Sequence, residues 1–267
     1  MRRFRLLRVT SPLHRICFDA DTQGRGANAT YYGSGAGGGE CYENKDGDYF
    51  FSNGGSGYQG IVYMRIPGEP PAYISDLPLG ALINVGTDGG AGAPNYEIAD
   101  KDNLVSGGVV LVRKNIYSKS RSNANYPNGT LDNLIKTTIY NRMPQNLRDK
   151  MMDVTFTLYG PENITRKMFA LTYTMAGFGA NNGTTEGKAL QRYNSNANRI
   201  KTYNGSAANW WLSSRNKGNG SRYVNNAGTA GYISPSYSYG VVSAFAIPGD
   251  TLSKLTPNTD GSYNLII

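Results

Sequence analysis

Apolar residues in this chain come in short runs, each soon closed by glycine, asparagine or proline. Ile61-Val62-Tyr63-Met64-Arg65-Ile66 ends at Pro67-Gly68, Val109-Val110-Leu111-Val112 follows Gly108, and Val241 to Ile247 sits between Gly240 and Pro248. Runs of this length, rich in β-branched and aromatic residues and bounded by turn formers, read as strands. A chain built this way must turn often, and its 34 glycines and 20 tyrosines suit many short strands. Charged residues make up only 17%, and with so many aromatic rings this is not the composition of a disordered chain.

Two segments carry the helical period instead. Thr130 suits an N-cap, and Leu131, Leu134, Ile135, Thr138 and Ile139 then share one face. Pro144 is acceptable in a first turn and opens a second helix, where Leu147 and Met151 share a face and Arg148 and Lys150 point away. Val154, Phe156 and Leu158 alternate as a strand does, and Lys167 to Thr174 reads as another. Asn95 to Asp100 and Gly108 to Arg113 are strands joined by the polar hairpin loop Lys101 to Gly107. Asn181 to Asn204 is polar and reads as a long surface excursion.

The texture changes near residue 73. Residues 1–72 are glycine-rich yet carry Tyr31, Tyr32, Phe50 and Phe51, with Arg3 and Arg5 in an arginine-rich start. Flexible linkers do not hold so many rings; arms that pack on neighbours do, so this extension reads as a docking arm that uses those six residues. Residues 73–267 read as the compact domain.

Several chemistries are excluded or weakened. His14 is the one histidine, Cys17 and Cys41 are the two cysteines, and no metal-ligand spacing, Ser/His/Asp, Cys/His or phosphate-loop arrangement is present. No enzyme is expected. Asn44-Lys45-Asp46-Gly47-Asp48 alternates oxygen ligands as calcium loops do, but lacks the spacing and distal Glu of an EF-hand, so calcium is a weak candidate and no other cofactor is expected. The net charge of +8 fits nucleic acid, an anionic surface or simple solubility. Without a basic recognition helix or an RNA-binding signature, nucleic acid is not expected as the main partner. The first apolar stretch is too short for a signal peptide and is broken by Arg8, and no run approaches the roughly 18 apolar residues of a membrane span.

Residues 210–240 hold both tryptophans, no acid, and Tyr223, Tyr232, Tyr237 and Tyr239 spaced among Asn225, Asn226, Ser234 and Ser236, with Arg215 and Lys217 in the first turn. Tyrosine gives contact area for little rotamer entropy, and Asn, Ser and Gly give adaptable hydrogen bonds, as in antibody paratopes. Short antiparallel strands and turns have the same composition, so a display surface and ordinary packing both remain open. Trp210 and Trp211 are neighbours, and neighbours on a strand point to opposite faces, so one of them enters the core more easily than the other.

The order of motifs resembles a family. Ile74 to Gly80 (ISDLPLG) matches its opening "I-x-D-L-x-x-G", and Tyr96 to Asp102 sits at its "w-x-V-x-d" strand. Gly108 to Val112 followed by Lys114-Asn115-Ile116 matches "vlLis-k-i", Tyr126 to Tyr140 (YPNGTLDNLIKTTIY) resembles its first helix, and Leu147 to Thr157 its second helix and next strand. Trp211-Leu212-Ser213-Ser214 resembles "W-L-R-S", and Gly240 to Phe245 stands at "G-V-R-P-A-F", with Val242-Ser243 replacing Arg-Pro. Residues 74–247 thus resemble a domain family of unknown function with a C-type-lectin-like fold, common in gut bacteria and their phages. The resemblance implies an α+β domain with short antiparallel strands and two helices, preceded by the Gly/Tyr-rich β or irregular extension. It makes Trp211 the core tryptophan and turns Trp210 toward a ligand or a neighbouring chain. Relatives of the fold include formylglycine-generating oxidases, which hold copper on a cysteine pair, and retroelement variable proteins. Both cysteines here precede the matching region, so the copper chemistry does not carry over.

The expectation is therefore a bacteriophage virion protein, on tail or capsid, whose domain adheres to a host-surface glycan or protein through Trp210, Arg215, Lys217, Tyr223, Asn225, Asn226, Tyr232, Tyr237 and Tyr239. Other virion proteins and further copies of the chain are the expected partners, with no membrane insertion. A purely structural decoration and a bacterial carbohydrate-binding module are the alternatives.

Overall fold

The runs Gly108–Arg113 and Ala244–Pro248 lie side by side, antiparallel, as the third and second strands of the larger sheet in the computed structural model. Their residues are buried on both faces, which is why they read as near-continuous apolar runs rather than alternating ones. The sheet has eight strands in the order Met168–Phe169, Ala244–Pro248, Gly108–Arg113, Asn95–Lys101, Leu82–Asn84, Ser262–Ile266, Leu252–Ser253 and Ala72–Tyr73. The hairpin Asn95 to Arg113 forms as expected, with a register shift between Ile98 and Asp100. There the buried Asp100 carboxylate accepts the main-chain N–H groups of Leu104 and Gln191.

The structure describes residues 72–122, 126–160 and 162–267, and before these only the backbone of five short strands. The chain divides into two units, Met1–Pro70 and Pro71–Ile267. In the first, Arg5–Arg8 pairs with Ile16–Asp19, and Asp48–Ser52 pairs with both Cys41–Glu43 and Ile61–Arg65. Arg5, Phe50, Phe51, Cys17 and Cys41 fall on these strands, with their side chains outside the described residues. Arg3, Tyr31, Tyr32 and residues 44–47 of the calcium candidate lie outside the described residues altogether.

The second unit corrects the α+β expectation, and with it the two-helix, C-type-lectin-like layout. Among the described residues the second unit is mostly β, with 37% strand and one real helix of 13 residues. That helix runs from Thr130 to Arg142 and is wound as a π-helix over Leu134–Ile139. Leu131, Ile135 and Ile139 are buried as the period predicts, but the wider π turn rotates Thr138 into solvent. The capping position falls on Gly129, one residue before Thr130, and Asp132 fastens the first turn by accepting the Asn128 N–H at 2.8 Å. The expected second helix is only Gln145–Lys150, less than two turns, though Leu147 and Met151 are buried. The reason is length: nothing after Lys150 keeps the 3.6-residue period, and Val154–Leu158 pairs with Glu162–Arg166 as a hairpin.

Two further expectations change. Of Lys167 to Thr174 only Met168–Phe169 is a strand, because Ala170, Leu171 and Thr172 turn inward to be buried without a ladder. The polar segment 181–204 lies at the surface for most of its length, but Asn181, Glu186, Leu190, Tyr193, Arg199 and Lys201 turn inward and are buried. Its polar groups reach the interior because each meets a partner there. The Arg199 guanidinium, for example, donates to the carbonyls of Ala176, Gly177 and Tyr193.

A second sheet of five strands carries most of the 210–240 stretch. Its order is Lys119–Arg121, Ser238–Gly240, Trp210–Arg215, Ser221–Val224 and Ala230–Ile233.

Candidate functional site

Cross-strand register decides which side chains of this sheet share a face, since directly opposed residues point the same way. Trp210 opposes Val224, Trp211 opposes Tyr223, Tyr223 opposes Gly231, and Arg222 opposes Tyr232. One face therefore collects Trp211 and Tyr223, and the other Trp210, Val224, Arg222 and Tyr232.

On the first face Trp211 is fully buried, its indole Nε1 donating to the Ser120 carbonyl at 2.8 Å. Tyr239 lies on it at 4.7 Å between ring centroids, Tyr223 is 4.9 Å from Tyr239, and Tyr237 is 6.2 Å from Tyr239. Four rings thus run from the core to solvent, where Tyr237 is 53% exposed. Gly231 makes room for this series: a Cβ there would lie 2.6 Å from the Tyr223 ring. Aromatic contacts of this kind add about 0.5–1.5 kcal/mol each beyond burial, so the outer ring stands on a stiff base.

Trp210 corrects the sequence reading. It does point away from Trp211, as alternation requires, but it is fully buried and its Nε1 donates to the Arg199 carbonyl at 2.9 Å. The central strand is covered on both faces, so neither tryptophan meets a ligand. Trp211 is a core residue, as expected.

On the second face the Arg222 guanidinium lies 4.6 Å from the Tyr173 ring centroid and 5.8 Å from that of Tyr232. Its Nε donates to Asn181 Oδ1 at 3.0 Å. Behind it Glu186 is buried, accepting from Tyr159 N–H, Asn181 Nδ2 and Ser214 Oγ. Ser214 Oγ in turn accepts the Tyr173 N–H at 2.7 Å, so one carboxylate orients both Asn181 and the Tyr173 backbone. Sequence reading missed Tyr173, Asn181 and Arg222. The alternation of Arg222 with Tyr223 along a strand was the available signal, but the partners lie about forty positions away.

The remaining expected residues scatter. Tyr232, 63% exposed, is on the opposite face from Tyr223 and the rings stacked with it. Asn225 Oδ1 accepts the N–H groups of Ala227 and Thr229, so that oxygen builds the turn. Asn226 and Lys217 are exposed, while Arg215 is half-buried and reaches toward the Tyr159 carbonyl at 3.4 Å. Among the described residues no three His, Cys, Asp or Glu side chains gather as a metal site, and no helix is long and apolar enough to cross a membrane.

Residues 106–249, more than half of the chain, match the family described as "Domain of unknown function (DUF6273)". The chain belongs to this family. The DUF6273 match includes every strand of the five-stranded sheet and, from the larger one, Met168–Phe169, Ala244–Pro248 and Gly108–Arg113. It begins after the ISDLPLG segment on which the resemblance opened. No curated protein and no solved structure matched the chain.

Proposed function

We propose that this chain is a non-enzymatic bacteriophage virion protein whose second unit adheres to a host-surface glycan, with the Met1–Pro70 unit docking it onto the particle. The observation that carries the reading is the ring series ending at Tyr237: a half-exposed aromatic on a base anchored to buried Trp211. Exposed Ser234, Ser236 and Ser238 flank it with hydroxyl groups. Aromatic faces beside short hydrogen-bonding side chains match the two surfaces of a sugar ring, its C–H face and its hydroxyl edge. The motif resemblance to domains common in gut bacteria and their phages supports the setting.

The test is binding of the purified full chain to host cells and to a glycan array, with Tyr237→Ala and Tyr239→Ala beside the unaltered protein. Loss of binding by about tenfold or more, with an unchanged circular dichroism spectrum, is the expected result for Tyr237→Ala. Unchanged binding removes the ring series from the function. A particle map with Tyr237 buried between subunits would replace adhesion by structural decoration.

A further inference from the structure

The second face of the display sheet has a charge character that the ring series lacks. From Gly187 to Gly249 the sequence has no Asp or Glu. Arg222 forms no ion pair among the described residues, and Glu186, the carboxylate behind it, is turned toward Tyr159, Asn181 and Ser214. The guanidinium is nonetheless held in place. Tyr173 and Tyr232 flank it, Asn181 fixes Nε, and Asn182 Oδ1 takes a long contact of 3.4 Å from Nη2. Nη1 has no hydrogen-bond partner among the described residues. A fixed planar cation with free donors, next to a ring that is 63% exposed, is laid out for an anionic group and the apolar face that carries it.

We propose that Arg222 and Tyr232 form a subsite for an acidic sugar, with the carboxylate or sulfate on the Arg222 fork and the sugar ring on Tyr232. The inference rests on the adhesion reading and adds to it the charge of the ligand. A single-stranded nucleic acid fits this face less well. Such strands are held by successive stacking platforms along a basic groove, whereas Arg222 lies between Tyr173 and Tyr232, and only Tyr232 is largely exposed.

The test is calorimetric titration of the purified full chain with lactose, sialyllactose, sulfolactose and an oligothymidylate. The two acidic probes bind at least about tenfold more tightly than lactose, and their ranking tells carboxylate from sulfate. Arg222→Gln removes that preference, Arg222→Lys restores part of it, and Tyr232→Ala weakens both acidic probes. Should Arg222→Gln lose its fold, Arg222→Lys and Tyr232→Ala carry the same comparison. Equal binding of lactose and the acidic probes overturns the subsite, as does an acidic preference that survives in Arg222→Gln or a preference for oligothymidylate. If no probe binds but Tyr237-dependent attachment to host cells persists, the subsite fails and the adhesion reading stands. If that attachment is also absent, both fall.

Discussion

The two large sheets of the second unit gain rigidity in different ways. The eight-stranded sheet buries Val109 to Val112 and Ala244 to Ile247 on both faces, and closes ion pairs into its interior. The five-stranded sheet has little apolar surface of its own outside Trp210, Trp211, Leu212 and Val224, and is held by ring stacks and by side-chain bonds to main chain. A sheet with many polar residues at its surface cannot draw its stiffness from burial alone; this one anchors a few large rings and leaves the rest facing water.

The largest expected effect tests the core side of that contrast. Phe245, fully buried and 5.1 Å from the Tyr96 ring, should cost about 3–5 kcal/mol of stability when replaced by Ala, measured by urea unfolding. Tyr223→Ala, on the five-stranded sheet and half-buried, should cost clearly less. Equal losses would mean that the two sheets are stabilised alike.

Next come the interior charges. Glu97 and Lys201 are both buried, 2.6 Å apart, and the Tyr193 hydroxyl also donates to Glu97 at 2.9 Å. Lys201→Met leaves Glu97 buried without its main cation and should cost about 3–5 kcal/mol. Adding Glu97→Gln should recover most of that loss in the double variant. If the single change is tolerated, the pair does not support the sheet.

The same carboxylates set the response to acid. Burial alone would raise the pKa of Glu97, but Lys201, then Lys114 and Tyr193, outweigh it and hold it below its ordinary value. Burial likewise would raise the pKa of Asp132, but hydrogen bonds from Arg166 and the Asn128 N–H, with the charges of Arg166 and Lys136, hold it below its ordinary value. With both folded values depressed, their stabilisation is present above the unfolded carboxylate range near pH ~4 and is lost as pH falls through the lower folded values. The urea midpoint should therefore drop as pH falls below about 4, and Glu97→Gln or Asp132→Asn should flatten that slope. An unchanged slope in both variants would assign acid sensitivity elsewhere.

The contrast also explains what could be read from sequence. Gly108–Arg113 and the alternation at Val154, Phe156 and Leu158 were legible because local pattern and burial agree there. The inward face of the helix was legible at Leu131, Ile135 and Ile139, while the π turn that expels Thr138 leaves no mark in a 3.6-residue period. Alternation placed Trp210 and Trp211 on opposite faces, but only tertiary packing covers both. Within the polar segment 181–204, the burial of Asn181, Glu186, Arg199 and Lys201 was not legible because a sequence shows no partners for them. In the site, Tyr223, Tyr237 and Tyr239 were named and do come together. Tyr232 was grouped with them because spacing alone does not reveal the register that turns it over.

The smallest effect is the sharpest for the five-stranded sheet. Gly231 leaves space for the Tyr223 ring, and a methyl group there would sit 2.6–2.7 Å from its outer atoms. Gly231→Ala should therefore displace that ring at a cost of about 1–3 kcal/mol, the usual range for overpacking. Because Tyr223 touches Tyr239, which carries Tyr237, the displacement should pass along the ring series and weaken host attachment. Trp211 lies 6.3 Å from Tyr223, so tryptophan fluorescence should report the shift while Trp210, facing the other way, stays constant. Replacing Trp210 by Phe in the same background would isolate the Trp211 signal. If Gly231→Ala costs stability yet leaves both that signal and attachment unchanged, the rings do not act as one series, and Tyr237 owes its position to its own turn.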